Sequence, residues 1–480
     1  MTSISTTPGT EDFIPALGGD RATEALERAL ESAPADRVEA FVTARRGDFT
    51  RFAGSRIHQS QAIDEVQIMV RAEVDGRVSR AASSSFIGLA DAVTRSCAAA
   101  QEQAQQGVAA AAPLRSEFSP TADDALAESY DPAILWGQDT AAWSVSEHAH
   151  LADRAMNKAI AMGGIAAGMF GRAVTEVAFH DRESNRSRYA YASEAQGSMT
   201  VRVEDGSSHW KDLSRFSDRL DVENAIETTL SQASRTRGRT KLEPGEYDVV
   251  LGPLAVGELL DFFGAFGFTG SALSAGFGMI AAHRGEQIAS PLVSIHDNAT
   301  SNVGLPFPFD FQGTSKHDVT MISEGLANSV VTDRETAFAL NTESTGHFHL
   351  AREEAPHAIP MNVILRAGND SEESLIAGIQ NGVYLQRFWY TRTVDPVKTT
   401  ITGVTRDACF MIKDGKIAYP VESMRFTMSV MEAFLRTDGV ASKYLSQPLM
   451  NVFNGAASAP AIRVRGFSLG TAPVQKGTSS

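Results

Sequence analysis

The chain opens on short runs in which apolar and polar residues alternate. VEAFVTAR, then RGD, then FTRFAG predict a strand, a turn and a strand. In EVQIMVRAEVDGRVSRAASS, Val66, Ile68 and Val70 alternate with polar or neutral neighbours. Asp75-Gly76 is a two-residue hairpin turn, because this pair tolerates the positive φ that a tight turn needs. The period then lengthens to three or four: Phe86, Leu89, Val93, Cys97 and Ala100 predict a helix over 86–103, capped by Ser84 or Ser85. Residues 104–140, rich in Ala, Gln, Ser and Pro, read as a connector. The pattern then returns, with a helix over 146–162, strands at AVTEVAFH and SRYAYAS, and SMTVRVEDGSSHW around Asp205-Gly206. A second helix follows with Val222, Ile226, Leu230 and Ala233 on one face and Asp221 as its cap. Strand, strand, Asp-Gly hairpin and helix occur twice, which predicts two related α+β units.

From Gly245 the texture changes. YDVVLGP predicts a buried strand, followed by a helix over 254–268 and a Gly/Ser/Ala stretch to Gly278. Beyond it, PLVSIHD, DVTMISEG, MNVILRAG, NGVYLQRFWYTR, TTITGVT, ACFMIKDGKIAYPV and IRVRGFSL predict strands, with helices near 371–380 and 428–436. Asp414-Gly415 is a third hairpin signal, and the aromatic run Phe388–Tyr390 reads as core. The expected fold class is α+β: two related small α+β units at the N-terminus, followed by a larger sheet-rich C-terminal domain. The expected divisions are a flexible lead-in over 1–24, units over 25–110 and 140–240, the sheet-rich domain over 245–470 and a tail over 471–480.

Composition narrows the function. With 480 residues, 43% hydrophobic and 21% charged, the chain has the balance of a multi-domain globular protein. No apolar run reaches the roughly 18–20 residues of a membrane helix. The first 20 residues lack the basic start and apolar core of a signal peptide. Two cysteines, Cys97 and Cys409, fall in different predicted domains, which argues against a disulfide framework and favours the cytoplasm. A net charge of −15 argues against nucleic-acid binding, which relies on basic surface.

Three stretches carry a resemblance: Pro360–Gln386 (PMNVILRAGNDSEESLIAGIQNGVYLQ), Ala408–Phe434 (ACFMIKDGKIAYPVESMRFTMSVMEAF) and Ala459–Leu469 (APAIRVRGFSL). In this order they resemble the TldD/PmbA family. GEYDVVLGPLAVGELLDFF (Gly245–Phe263) is similar to the entry to that family's core helix, and the resemblance runs over about residues 25–470. The family's TldD-type chains carry an HExxxH motif on this helix and a cysteine near the C-terminus, together binding zinc. Here the matching stretch is LLDFFGAF. Leu260 stands where the first histidine would be, Asp261 where the glutamate would be and Ala265 at the second histidine; leucine and alanine cannot ligate zinc. No cysteine lies near APAIRVRG. The resemblance therefore implies a TldE/PmbA-like, non-catalytic subunit with no catalytic residue and no cofactor of its own. It implies a TldD-like zinc-bearing partner subunit, a peptide as substrate, and a role in proteolysis or precursor-peptide maturation. Nucleic acid and membrane are not expected partners.

Two other readings stay open. His347 and His349 in STGHFHL project to one face if the segment is a strand, and with His357 they are candidate metal ligands, Glu353 and Glu354 lying nearby. A stand-alone metal-dependent hydrolase would use that trio; the plainer reading is surface or interface histidines. The other alternative is a peptide- or protein-binding regulator without a peptidase role. His148 and His150 sit two apart on a predicted helix, where side chains diverge. Ser271 and Ser274 lack a nucleophile elbow, and the glycines of GAFGFTGSALSAGFG form no phosphate loop.

Overall fold

Backbone pairing in the N-terminal half is more continuous than the residue pattern predicts. The structure is a computed structural model that describes residues 17–109, 131–265, 267–350, 357–450 and 452–470. Strand β1 (Arg37–Ala53) runs unbroken through the predicted Arg46-Gly47-Asp48 turn. It pairs antiparallel with β2 (Arg56–Val74) on one side and β4 (Gly164–Asp181) on the other, so a turn would forfeit ladder bonds on both edges. Gly47 is there for close approach: a Cβ would lie 2.6 Å from the Arg172 carbonyl oxygen. With β3 (Arg77–Ser83), β5 (Arg186–Val203) and β6 (Gly206–Ser214), the order is β3-β2-β1-β4-β5-β6. The two hairpin-and-helix units thus join edge to edge through β1 and β4 in one sheet.

The first hairpin turns at Asp75 (φ 49) and Gly76 (φ 73), as predicted. The second turns one residue early, on Glu204 (φ 55) and Asp205, because Val203 pairs with Gly206. Gly206 serves packing instead, since a Cβ would come within 2.3 Å of the Ala233 carbonyl oxygen. Helix α1 (Gly19–Leu30) begins inside the expected lead-in, and Ala22, Leu26 and Leu30 hold it to the sheet. Helices α2 (Leu89–Gln105), α3 (Gln138–Ala142), α4 (Val145–Ala161) and α5 (Val222–Arg235) follow in order. Ser144 closes a capping box with Glu147 at the start of α4, whereas Asp221 sits at φ 41 and makes no side-chain cap to α5.

Alternation sorts the sheet's two faces. Val38, Ala40 and Val42 of β1 and Ala178 of β4 point into the core beneath α1 and α2. Phe41, Val177 and Phe179 point the other way, against Phe307, Phe309 and Phe311 of the C-terminal domain. Phe41 stacks on Phe311 at 4.6 Å. The sheet therefore lies between its own helices and the second domain.

That domain is built on β7 (Gly245–Leu251), β8 (Ile295–Asp297), β9 (Val319–Ser323), β10 (Leu326–Ala327), β11 (Phe348–His349), β12 (His357–Ala358) and β13 (Asn362–Leu365). The chain continues through β14 (Asn381–Asp395), β15 (Thr400–Lys413), β16 (Lys416–Pro420), β17 (Arg425–Ser429), β18 (Thr437–Pro448) and β19 (Ala456–Leu469). Because β7 pairs with both β14 and β19, strands β7, β14, β15, β17 and β19 close a ring. Phe388, Phe426 and Phe467 meet inside it, with ring centroids 4.3–6.0 Å apart. Only Phe388 of the run Phe388–Tyr390 is core. A bulge between Trp389 and Arg392 turns Trp389 and Tyr390 outward, 49% and 68% exposed. Helix α6 (Pro253–Ala265) leaves β7 and packs over β14, β18 and β19. The fold class is α+β and sheet-rich. Cys97 and Cys409 are buried free thiols. Among the described residues no helix is long and apolar enough to cross a membrane. The expected tail over 471–480 lies outside the described residues.

Candidate functional site

Helix α6 has two unlike faces. Ala255, Val256, Leu259 and Leu260 are buried in the main core of the C-terminal domain. Leu254, Glu258 and Asp261, spaced four and three apart, line a cleft of about 440 Å³. Strand β6 supplies the facing wall with His209 and Lys211, two residues apart on one face. The bulged part of β14 supplies Arg387, Trp389, Tyr390, Thr391 and Arg392, and the end of β18 adds Gln447 to Met450. The cleft therefore lies between the edge of the N-terminal sheet and the ring of the C-terminal domain.

Tyr390 is held at φ 55, a left-handed conformation a bulky residue rarely adopts, with Arg392 4.5 Å from its ring centroid. Arg406 and Arg387 flank Trp389 at 4.3 and 5.3 Å. Arg387 also donates to Asp407 at 2.5 Å. The His209 backbone N–H donates to Gln386 Oε1 at 3.0 Å, and its Nδ1 lies 2.8 Å from the Thr200 hydroxyl.

Charge in the cleft is strongly conditioned by burial. It raises Asp261 to about 7, Glu258 adding to the rise while the Met450 N–H (3.0 Å) and Lys211 oppose it. Burial raises Glu258 as well, against Thr391, Arg387, Lys211 and Arg392. Burial and then Arg387 lower Lys211, and burial, Arg387 and Lys211 push His209 well below the usual imidazole range.

These groups do not make a zinc site. A zinc ion takes three or four convergent imidazole, thiolate or carboxylate ligands. The cleft offers two carboxylates on α6 and the His209 imidazole on β6, which do not converge on one point, and it sets a lysine and arginines beside them. Leu260 points into the core, Asp261 into the cleft, and Ala265 is the last residue of α6. Among the described residues no group of three or more His, Cys, Asp and Glu side chains is arranged to hold a metal.

The histidines of 347–357 lie elsewhere. His347 and His349 are buried beside the interface with the N-terminal sheet, and His349 pairs with His357 across β11 and β12. His347 Nε2 is 3.2 Å from Asp297 Oδ1, and its Nδ1 is 2.7 Å from the Thr345 carbonyl. His349 Nδ1 accepts from the Leu350 N–H at 2.9 Å, which leaves its proton on Nε2. Lys316 is buried in the same cluster, its Nζ 2.8 Å from Met361 Sδ. Burial works to raise Asp297, but His347, Lys316 and backbone donors hold it well below the usual carboxylate range. Both imidazoles are buried in this packing, and His349 Nε2 meets no acceptor among the described residues; Glu353 and Glu354 lie outside the described residues.

Sequence reasoning placed the register on Leu260, Asp261 and Ala265 and did not single out His209, Lys211, Arg387 or Arg392. A signal was present on α6: Glu258 and Asp261 are three apart in an otherwise apolar helix, so they share one face. Nothing in the sequence showed that Lys211, about 50 residues upstream, faces them.

Residues 244–471 match the PmbA/TldA metallopeptidase C-terminal domain. The C-terminal part of the chain, residues 244–471, is therefore similar to the TldD/PmbA family. The chain is 29% identical over 227 residues to a metalloprotease of Methanothermobacter thermautotrophicus, covering 47% of this chain and 50% of that protein. It is 27% identical over 229 residues to a metalloprotease TldD homolog of Haemophilus influenzae, covering 47% and 46%. The chain thus spans about half the length of the curated relatives it matches. Its fold matches that of TldE from Thermococcus kodakarensis, with a TM-score of 0.77 and 18% identity over 94% of this chain and all of that one.

Proposed function

We propose that this chain is the non-catalytic, TldE/PmbA-like subunit of a TldD/TldE-type zinc metallopeptidase complex, working with a zinc-bearing TldD-like chain in the cytoplasm. The supporting observation is the cleft-facing side of α6. It carries Leu254, Glu258 and Asp261 opposite Lys211, a set suited to polar contacts and unsuited to zinc. In this reading the chain contributes assembly and peptide binding, while the partner cleaves peptides or trims precursor peptides. An extended peptide would lie along the cleft using main-chain hydrogen bonds, which tolerate varied side chains. Trp389 and Tyr390 would pack on it from the rim.

The test is hydrolysis of an unfolded reporter peptide by this chain, by a TldD-like partner, and by the two co-purified. The reading expects no hydrolysis by this chain and hydrolysis by the pair. Cleavage by this chain alone, abolished by a chelator, would establish an enzyme in its own right.

A further inference from the structure

Lys211 stands out among the charged groups of the cleft. Arg387 is committed to Asp407, and Asp261 accepts the Met450 N–H. Among the described residues the Lys211 ammonium has no carboxylate within ion-pairing distance, although it lies in a cleft that also holds Glu258 and Asp261. Arg392 is exposed on the same wall, its guanidinium over Tyr390 and one N–H given to the Thr391 carbonyl at 2.8 Å. A half-buried ammonium with three donors and no direct ion pair to Glu258 or Asp261 has donors available for an incoming acceptor of negative charge. The neighbouring guanidiniums add to that preference, in a chain whose net charge is −15. Trp389 and Tyr390 at the rim, 49% and 68% exposed beside the guanidiniums that lie over their rings, offer apolar surface to an extended chain.

We propose that the cleft recognises a carboxylate of an extended peptide, bound by Lys211 with Arg392 while Trp389 and Tyr390 pack along the adjoining residues. This rests on the peptide-binding reading above and adds to it the feature by which the peptide is selected. The carboxylate could be the peptide's C-terminus or an acidic side chain, and the two sources are separable.

The experiment titrates the full-length chain with three fluorescein-labelled ten-residue Gly/Ser/Ala peptides, read by anisotropy. The first has a free C-terminus, the second is amidated, and the third is amidated with a central glutamate. The proposal expects the first or third to bind about tenfold tighter than the second. A preference for the first assigns the C-terminal carboxylate, and a preference for the third assigns a side chain. In Lys211→Met and, separately, Arg392→Gln, that ratio should fall towards one; Arg392 is exposed, so its variant serves if the lysine variant folds poorly. Equal binding of all three peptides overturns the carboxylate proposal and leaves peptide binding standing. So does a ratio unchanged in both variants. Absence of binding by any peptide overturns both.

Discussion

Glu39 links the two domains through two buried guanidiniums, so its removal should cost far more than loss of a surface pair. Its Oε1 accepts from Arg71 of β2 at 2.8 Å, and its Oε2 accepts from Arg334 of the C-terminal domain at 2.6 Å. The side chains of Glu39, Arg71 and Arg334 are 3%, 2% and 7% exposed. Arg71 also contacts Glu335, which accepts from Arg80 at 3.1 Å. Glu39→Gln keeps the shape and removes the charge, so two desolvated cations lose the carboxylate they share. Removing one partner of a buried pair costs about 3–5 kcal/mol, because the charge left behind cannot regain its hydration. Asp64→Asn, which breaks the exposed Arg46–Asp64 pair, provides the comparison and should cost less than about 1 kcal/mol. Urea unfolding followed by tryptophan fluorescence reads both variants. A Glu39→Gln loss no larger than that of Asp64→Asn would refute the claim that this network locks the sheet to the second domain.

Three further outcomes follow from the packing. His148 is buried on the edge of Trp143 at 4.4 Å, and burial lowers it from 6.5 to about 4. Its contribution to stability is present above pH 6.5 and lost as the pH falls through 4, about 3 kcal/mol in all, so His148→Phe should flatten the stability profile over that window. Gly47→Ala should destabilise by about 1–3 kcal/mol, since its Cβ meets backbone on β4 and cannot move aside; a melting point equal to wild type would contradict the close-approach reading. Phe388→Ala should cost about 3–5 kcal/mol and Trp389→Ala under about 1 kcal/mol, although the two are adjacent; similar losses would contradict the bulge that separates core from rim.

Local patterning carried much of the fold into the sequence. The Asp75-Gly76 and Asp414-Gly415 turns, the stripe from Leu89 to Ala100 and the repeat of hairpin and helix are all short-range signals. The misreadings arose where a distant element decides the outcome. Gly47 resembles a turn residue until β4 is seen to approach it, and Gly206 serves α5 rather than the hairpin. Trp389 and Tyr390 continue an apolar run, and only the slip in register between β14 and β15 turns them to solvent. The cleft follows the same rule. Glu258 and Asp261 could be placed on one helical face from spacing alone, but His209, Lys211 and Arg387 reach them through pairing across two sheets. The burial of His349 likewise depends on distant segments, since it packs on Phe311 and Phe453 and shares a cavity lining with Thr175 and Val177 of β4.

The central claim is most directly tested by the zinc and total transition-metal content of this chain purified alone without chelator, measured by elemental mass spectrometry. The account predicts well under one metal per chain, with zinc appearing only when a TldD-like chain is co-purified. About one tightly held metal per chain, lost on changing His347 and His349 to alanine, would contradict it and identify the chain as a metalloenzyme itself.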